Sequence, residues 1–99
     1  MRPTLLAADL SAFVPAFNSL VLDSRRELAV QSMPPWKLAR RIWDLADAAE
    51  TMIAEAGPLS DWQREDFGYA RDLACVPLTR ACALTLIRRA VANALVAGQ

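Results

Sequence analysis

The chain has 99 residues, 55% of them hydrophobic, and its 11 basic and 11 acidic residues give a formal net charge of zero. This hydrophobic content excludes an intrinsically disordered protein, and the length is enough for one helical domain over residues 1–99 with a modest core. The neutral charge provides no global field that would attract nucleic acid or an anionic membrane.

The absence of histidine removes the commonest general base and the commonest metal ligand together. Cys75 and Cys82 lie seven positions apart. On one helix their Cα atoms would be ~10 Å apart, which is too far for a disulfide. Two thiols also cannot complete a structural zinc site. We therefore expect both cysteines to be small core residues with free thiols, and we expect no metal or other cofactor, no membrane span and a reducing, cytoplasmic compartment.

The first part of the chain contains two helix-start signals. Pro3-Thr4 favours a short N-terminal helical turn over residues 5–10, and Ser11 is suited to cap a longer helix over 11–31 with Pro15 in its first turn. The alternative is one continuous helix from Thr4, kinked at Pro15. Late in this helix lies a charged patch that is expected to face solvent, formed by Asp23, Arg25, Arg26 and Glu27.

The second helix, over residues 35–56, has the clearest boundaries in the sequence. Pro35 suits its first position and Gly57-Pro58 ends it. One half of its surface is apolar at helical spacing. The other half carries basic residues near the N-terminus and acidic residues later, which opposes the helix dipole at a cost of ~0.3–1 kcal/mol for each end charge.

This charge order indicates that the polar half of the second helix has a role beyond local helix stability. Two interpretations are open: other helices compensate these charges inside the fold, for instance through acids of the third helix that meet the arginines, or the charges contact another protein. Exposed tryptophan beside arginine is typical of binding hot spots. The candidate protein-binding surface is Trp36, Lys37, Arg40, Arg41, Asp44 and Asp47.

Two further helices are predicted, over residues 60–75 and 77–97. Ser60 and Gln63 match a capping box, and Pro77 suits a first helical position. Short connections favour an all-α, antiparallel bundle of four main helices. The spacing predicts that the third helix faces inward through Trp62, Tyr69, Ala70, Leu73 and Ala74.

Asp66 and Arg80 each fall on an apolar helix face, where a lone charge would be costly. We expect them to form a structural ion pair between the third and fourth helices. The fourth helix also has a second apolar stripe, opposite its main one. Either the first helix or a second copy of the chain must cover it, so it is a candidate homodimer interface: Leu78, Cys82, Leu86 and Val96.

The leading functional hypothesis is a non-enzymatic protein–protein interaction module, of the size common among small bacterial and phage regulators, adaptors and inhibitors. The alternative is a helix-turn-helix-like DNA-binding regulator using residues 60–97, with Thr79 and Arg80 facing DNA. Zero net charge and an apolar recognition helix disfavour it. A third hypothesis is a small helical enzyme that binds an anionic metabolite through arginines and Glu50, although the chain has no glycine-rich phosphate loop and no catalytic dyad.

Overall fold

The computed structural model describes residues 7–30 and 35–97, which form four α-helices and one 3₁₀ helix. The α-helices are α1 (Ala7–Val30), α2 (Pro35–Ala56), α3 (Asp61–Ala74) and α4 (Arg80–Ala97). The 3₁₀ helix, Pro77–Thr79, joins α3 to α4. The predicted all-α bundle of four main helices is confirmed, and no strand occurs within these two ranges.

The first helix is longer than its capping signal indicated. α1 runs continuously through Ser11 and Pro15, so Ser11 is not its N-cap and the prediction of a separate longer helix from Ser11 was wrong. The expected start at Thr4 lies outside the described residues. Proline inside a helix removes one backbone hydrogen bond. Here continuity keeps Phe13 and Leu20 on one face, where both are buried, and this burial offsets the lost bond.

The second helix lies at the centre of the fold and contacts each of the other three α-helices. Its predicted boundaries, 35–56, are those observed. Its apolar half forms the middle of a single core that all four α-helices share. The α2 side chains that are at most 1% exposed are Leu38, Ile42, Ala46 and Ala49.

α3 and α4 make the most extensive contact between any two helices of the fold. Ala70 and Ala74 on α3, and Ala83 and Ala90 on α4, are wholly buried, so small side chains let the two backbones approach closely. The large buried side chain of α3 is Phe67.

The predicted inward face of α3 was partly wrong, because Trp62 and Tyr69 are 45% and 64% exposed. The buried stripe runs instead through Gln63, Phe67, Ala70 and Ala74. The predicted capping box at the start of this helix is confirmed. The backbone N–H of Ser60 donates to Oε1 of Gln63 at 2.8 Å.

α1 and α4 run antiparallel. Glu27, near the end of α1, bonds to Arg80 at the start of α4, and the two helices also line a common cleft that extends back to Phe17 and forward to Arg88. Across the described ranges, no helix is both long and apolar enough to cross a membrane.

Candidate functional site

Part of the polar half of α2 is neutralised inside the fold by α1. Nη1 of Arg41 donates to Oδ2 of Asp23 at 2.5 Å, and the Asp23 side chain is 19% exposed. The acid that meets this arginine therefore comes from the first helix, whereas an acid of the third helix was expected. Asp23 itself is not a freely solvated charge, since it holds α1 against α2.

The acidic end of α2 is neutralised by α3. Nη2 of Arg71 donates to Oδ1 of Asp47 at 2.5 Å and also to Oε1 of Glu50. Burial alone would lower the pKa of the Arg71 guanidinium, but the hydrogen bonds to the two carboxylates outweigh it and raise the pKa above its ordinary value. Arg71 is thus a fixed cation that joins α3 to α2.

The remaining residues of the predicted surface stay accessible. Trp36 is 71% exposed, and Lys37 is exposed and forms no ion pair within the residues that the structure describes. Arg40 meets Asp44 one turn later, with Nε and Oδ1 3.9 Å apart and both side chains more than two-thirds exposed. A pair of this length and exposure contributes little. These charges therefore remain free to contact a partner.

A cleft opens where this accessible end of α2 approaches the end of α3, and we call it the tryptophan cleft. It has a volume of about 520 Å³ and is lined by Trp36, Ala39, Arg40, Trp43 and Cys75. Its walls are mostly apolar, with one guanidinium and one thiol.

Trp43 is the fixed wall of the tryptophan cleft. Its indole Nε1–H donates to the backbone carbonyl of Arg71 at 2.8 Å, which satisfies its only polar group and orients the ring. The ring nevertheless remains 41% exposed. The Cys75 thiol donates to the same carbonyl at 3.5 Å. Cys75 and Cys82 are both exposed, so the prediction that they are core residues was wrong. Trp43 falls on the apolar half of α2, and its partial exposure arises because α3 covers only one side of it.

Arg80 does form a buried ion pair, but not with Asp66. It is wholly buried, its Nε donates to the Ala74 carbonyl at 2.9 Å, and its Nη1 donates to Oε1 of Glu27. Asp66 instead accepts a hydrogen bond from Arg89 at 2.9 Å. The predicted Asp66–Arg80 pair was therefore wrong, because α1 rather than α3 supplies the carboxylate that faces Arg80.

Glu27 is the residue that the sequence prediction missed. It was assigned to a solvated patch but is 5% exposed, and its Oε2 is buried and accepts no hydrogen bond from the described part of the chain. The signal was present in the spacing, because Phe13, Leu20 and Glu27 recur every seven residues along the buried face of α1. Burial also lowers the pKa of the Arg80 guanidinium below its ordinary value.

The residues assigned to DNA contact are engaged within the fold. Arg80 is wholly buried, and the Thr79 hydroxyl lies 2.6 Å from the carbonyl oxygen of Leu73, to which it donates. Neither side chain can reach a base edge in this conformation.

The second stripe of α4 is only partly uncovered. Leu78 is 79% exposed and Cys82 is exposed, but Leu86 is half-buried and packs against the core. The side chain of Val96 lies outside the described set. The homodimer interface stays a prediction based on Leu78 and Cys82.

Comparisons of this chain with protein-family models, with curated proteins and with solved structures find no match. Among the side chains that the structure describes, no group of three or more Cys, Asp or Glu residues lies in an arrangement that could hold a metal ion.

Proposed function

We propose that this chain is a non-enzymatic protein–protein interaction module, a small regulator, adaptor or inhibitor, that binds its partner through the tryptophan cleft. The observation that supports it is the exposure of Trp36 and Trp43 on either side of a mostly apolar cleft. Contiguous exposed apolar patches on a protein surface commonly mark interaction sites. Tryptophan and arginine are also the residue types that dominate binding hot spots.

The charges around the cleft define the chemistry of the partner. Lys37 and Arg40 have no partner on another helix within the described residues, whereas Arg41 is already paired with Asp23. The matching surface presents an apolar side chain that fills the space between the two indoles, next to a carboxylate that meets Arg40. Arg41 and Asp47, which belonged to the predicted surface, hold the helices together and are not part of the proposed contact.

The test begins with affinity purification of the tagged full chain from its native host, identification of the retained protein, and titration calorimetry with the recombinant partner. Trp36→Ala is expected to weaken binding about 30-fold, as loss of a hot-spot side chain does. Arg40→Glu is expected to weaken binding as well, and to do so more strongly at low salt.

Trp62→Ala provides the matched control, because Trp62 is an exposed tryptophan on α3 that does not line the cleft. It should bind the partner as the parent chain does. Unchanged affinity in both Trp36→Ala and Arg40→Glu would refute the proposal. Retention of duplex DNA instead of a protein, with a steep salt dependence, would favour the DNA-binding alternative.

A further inference from the structure

A second cleft, on the side of the fold where α1 meets α4, has a different character from the tryptophan cleft. It encloses about 290 Å³ and includes Arg25, Arg88 and Asn18 in its lining, together with apolar side chains such as Phe17 and Leu84. We call it the cationic cleft. Its volume is near the lower end of the ~300–1,000 Å³ range typical of small-molecule sites.

The two arginines of the cationic cleft are not neutralised by the fold. Neither Arg25 nor Arg88 takes part in an ion pair within residues 7–30 and 35–97, and no acidic residue lines the cleft. The nearby acids are engaged elsewhere, Asp23 with Arg41 and Glu27 with Arg80. The cleft between α1 and α2, by contrast, carries the carboxylates of Asp47 and Glu55.

The hydrogen-bonding groups of the cationic cleft favour an anion. The hydroxyl of Thr85 donates to the carbonyl of Ala81 at 2.9 Å, and the hydroxyl of Ser24 donates to the carbonyl of Leu20 at 2.8 Å, so both protons are already used by the helices. The donors left for a ligand are the guanidinium groups of Arg25 and Arg88 and the amide of Asn18. Guanidinium groups match the geometry of carboxylate and phosphate oxygens.

The floor of the cleft is apolar. Phe17 and Val21 are half-buried and pack against the core, while Leu28 is 51% exposed at the edge. An ion with no apolar part would leave this apolar surface exposed to water. A ligand that covers it gains the free energy of removing apolar area from water in addition to the charge contact.

We propose that the cationic cleft binds a small amphipathic carboxylate, with its carboxylate group held by Arg25 and Arg88 and its hydrocarbon part lying over Phe17 and Val21. This site is separate from the tryptophan cleft and does not depend on the proposed protein partner. The two proposals therefore stand or fail independently.

The test is NMR titration of the ¹⁵N-labelled full chain with octanoate. The expected result is saturable shifts of the Nε–H signals of Arg25 and Arg88 and of the side-chain amide of Asn18. Acetate supplies the charged group alone and octanamide supplies the apolar body without the charge, so both are expected to bind at least about tenfold more weakly.

Variants identify the residues that hold the probe. The double variant Arg25→Gln/Arg88→Gln is expected to weaken octanoate binding about tenfold or more. Arg64→Gln is the matched control, because Arg64 is an exposed arginine of α3 outside the cleft, and it should bind octanoate as the parent does. Ala81→Phe fills the cleft while both arginines remain, and it too should weaken binding.

Four results would overturn the proposal. These are no shift at these residues up to the solubility limit of octanoate, equal affinity for acetate, equal affinity of the Arg25→Gln/Arg88→Gln variant, or unchanged binding in Ala81→Phe. If a short DNA duplex shifts the same signals with a steep salt dependence and octanoate does not, the cleft contacts phosphate backbone instead.

Discussion

Two arginines join helices in this fold, and their surroundings are opposite. Arg80 is wholly buried and bonds to the carboxylate of Glu27, whose second oxygen accepts no hydrogen bond from the described residues. Arg71 is 29% exposed and meets two carboxylates, Asp47 and Glu50. Water can therefore replace a lost partner of Arg71 but not a lost partner of Arg80.

This difference in exposure decides how much each ion pair contributes to stability. The Arg71 cluster is partly exposed, and each of its pairs contributes only ~0.2–1 kcal/mol, because solvent screens it. The Arg80 pair lies in the core, and removing the Glu27 carboxylate takes away a charge that water cannot replace there. The pair at Arg80 also connects the first and last helices of the chain, so it specifies how α1 lies on α4.

The largest expected effect is that of Glu27→Gln. The substitution keeps the size of the side chain but removes the charge that faces Arg80, so it should lower the free energy of unfolding by ~3–5 kcal/mol. Urea denaturation followed by circular dichroism measures it. Arg26→Gln is the control, since that side chain is 73% exposed, and it should change stability by less than ~0.5 kcal/mol. Equal stabilities of the two variants would contradict the comparison.

The second prediction removes both charges of the buried pair. Glu27→Leu/Arg80→Met replaces them with apolar side chains and avoids an unpaired core charge, although it leaves the carbonyl of Ala74 without the bond from Nε. The double variant should be more stable than Glu27→Gln by at least ~2 kcal/mol. The same denaturation experiment tests this. A double variant less stable than the single one would show that packing, rather than charge, governs the site.

The third prediction concerns the exposed cluster. Arg71→Gln should lower the free energy of unfolding by about 1 kcal/mol, and the loss should shrink at high salt because the ions screen the parent's pairs. The loss in Glu27→Gln should hardly depend on salt, since the buried pair is screened much less. Denaturation curves at low and high salt give both values. The same salt dependence in the two variants would remove the distinction between the sites.

The smallest expected effect is that of Asp66→Ala. If Asp66 were the partner of Arg80, its loss would be strongly destabilising. It bonds instead to Arg89, which is 56% exposed, so the expected loss is at most ~1 kcal/mol. Thermal unfolding by calorimetry measures it. A decrease as large as that of Glu27→Gln would restore the pairing with Arg80 that the sequence indicated.

The sequence predicted helix boundaries well, but it predicted poorly which side chains of different helices contact each other. The boundaries of α2 follow from Pro35 and Gly57-Pro58, which act within a few residues of themselves. The cap signal at Ser11 is equally local, but the helix continues past it, and Leu10 on its N-terminal side packs against the core. Local preferences are worth about 1 kcal/mol each, and a few buried apolar side chains exceed that.

In the candidate site, too, the sequence identified residues on the polar half of α2 but not their contacts with other helices. Trp36, Lys37 and Arg40 were identified from the charge order of α2 and remain accessible. Arg41 and Asp47 were identified by the same argument, yet they bond to α1 and α3. Nothing in the sequence of α2 distinguishes these two groups, because the difference lies in which helix is adjacent.

By itself, the sequence determined that this protein is all-α, where its second helix begins and ends, and that Arg80 lies on an apolar face. Each of these depends on helical periodicity or on a helix-breaking proline or glycine, and both act over a few residues. Only the tertiary structure decided that Glu27 neutralises Arg80, that Phe67 rather than Trp62 enters the core, and that Trp43 helps to form a cleft. Those outcomes depend on contacts between residues far apart in the chain, which the pattern within one helix does not specify.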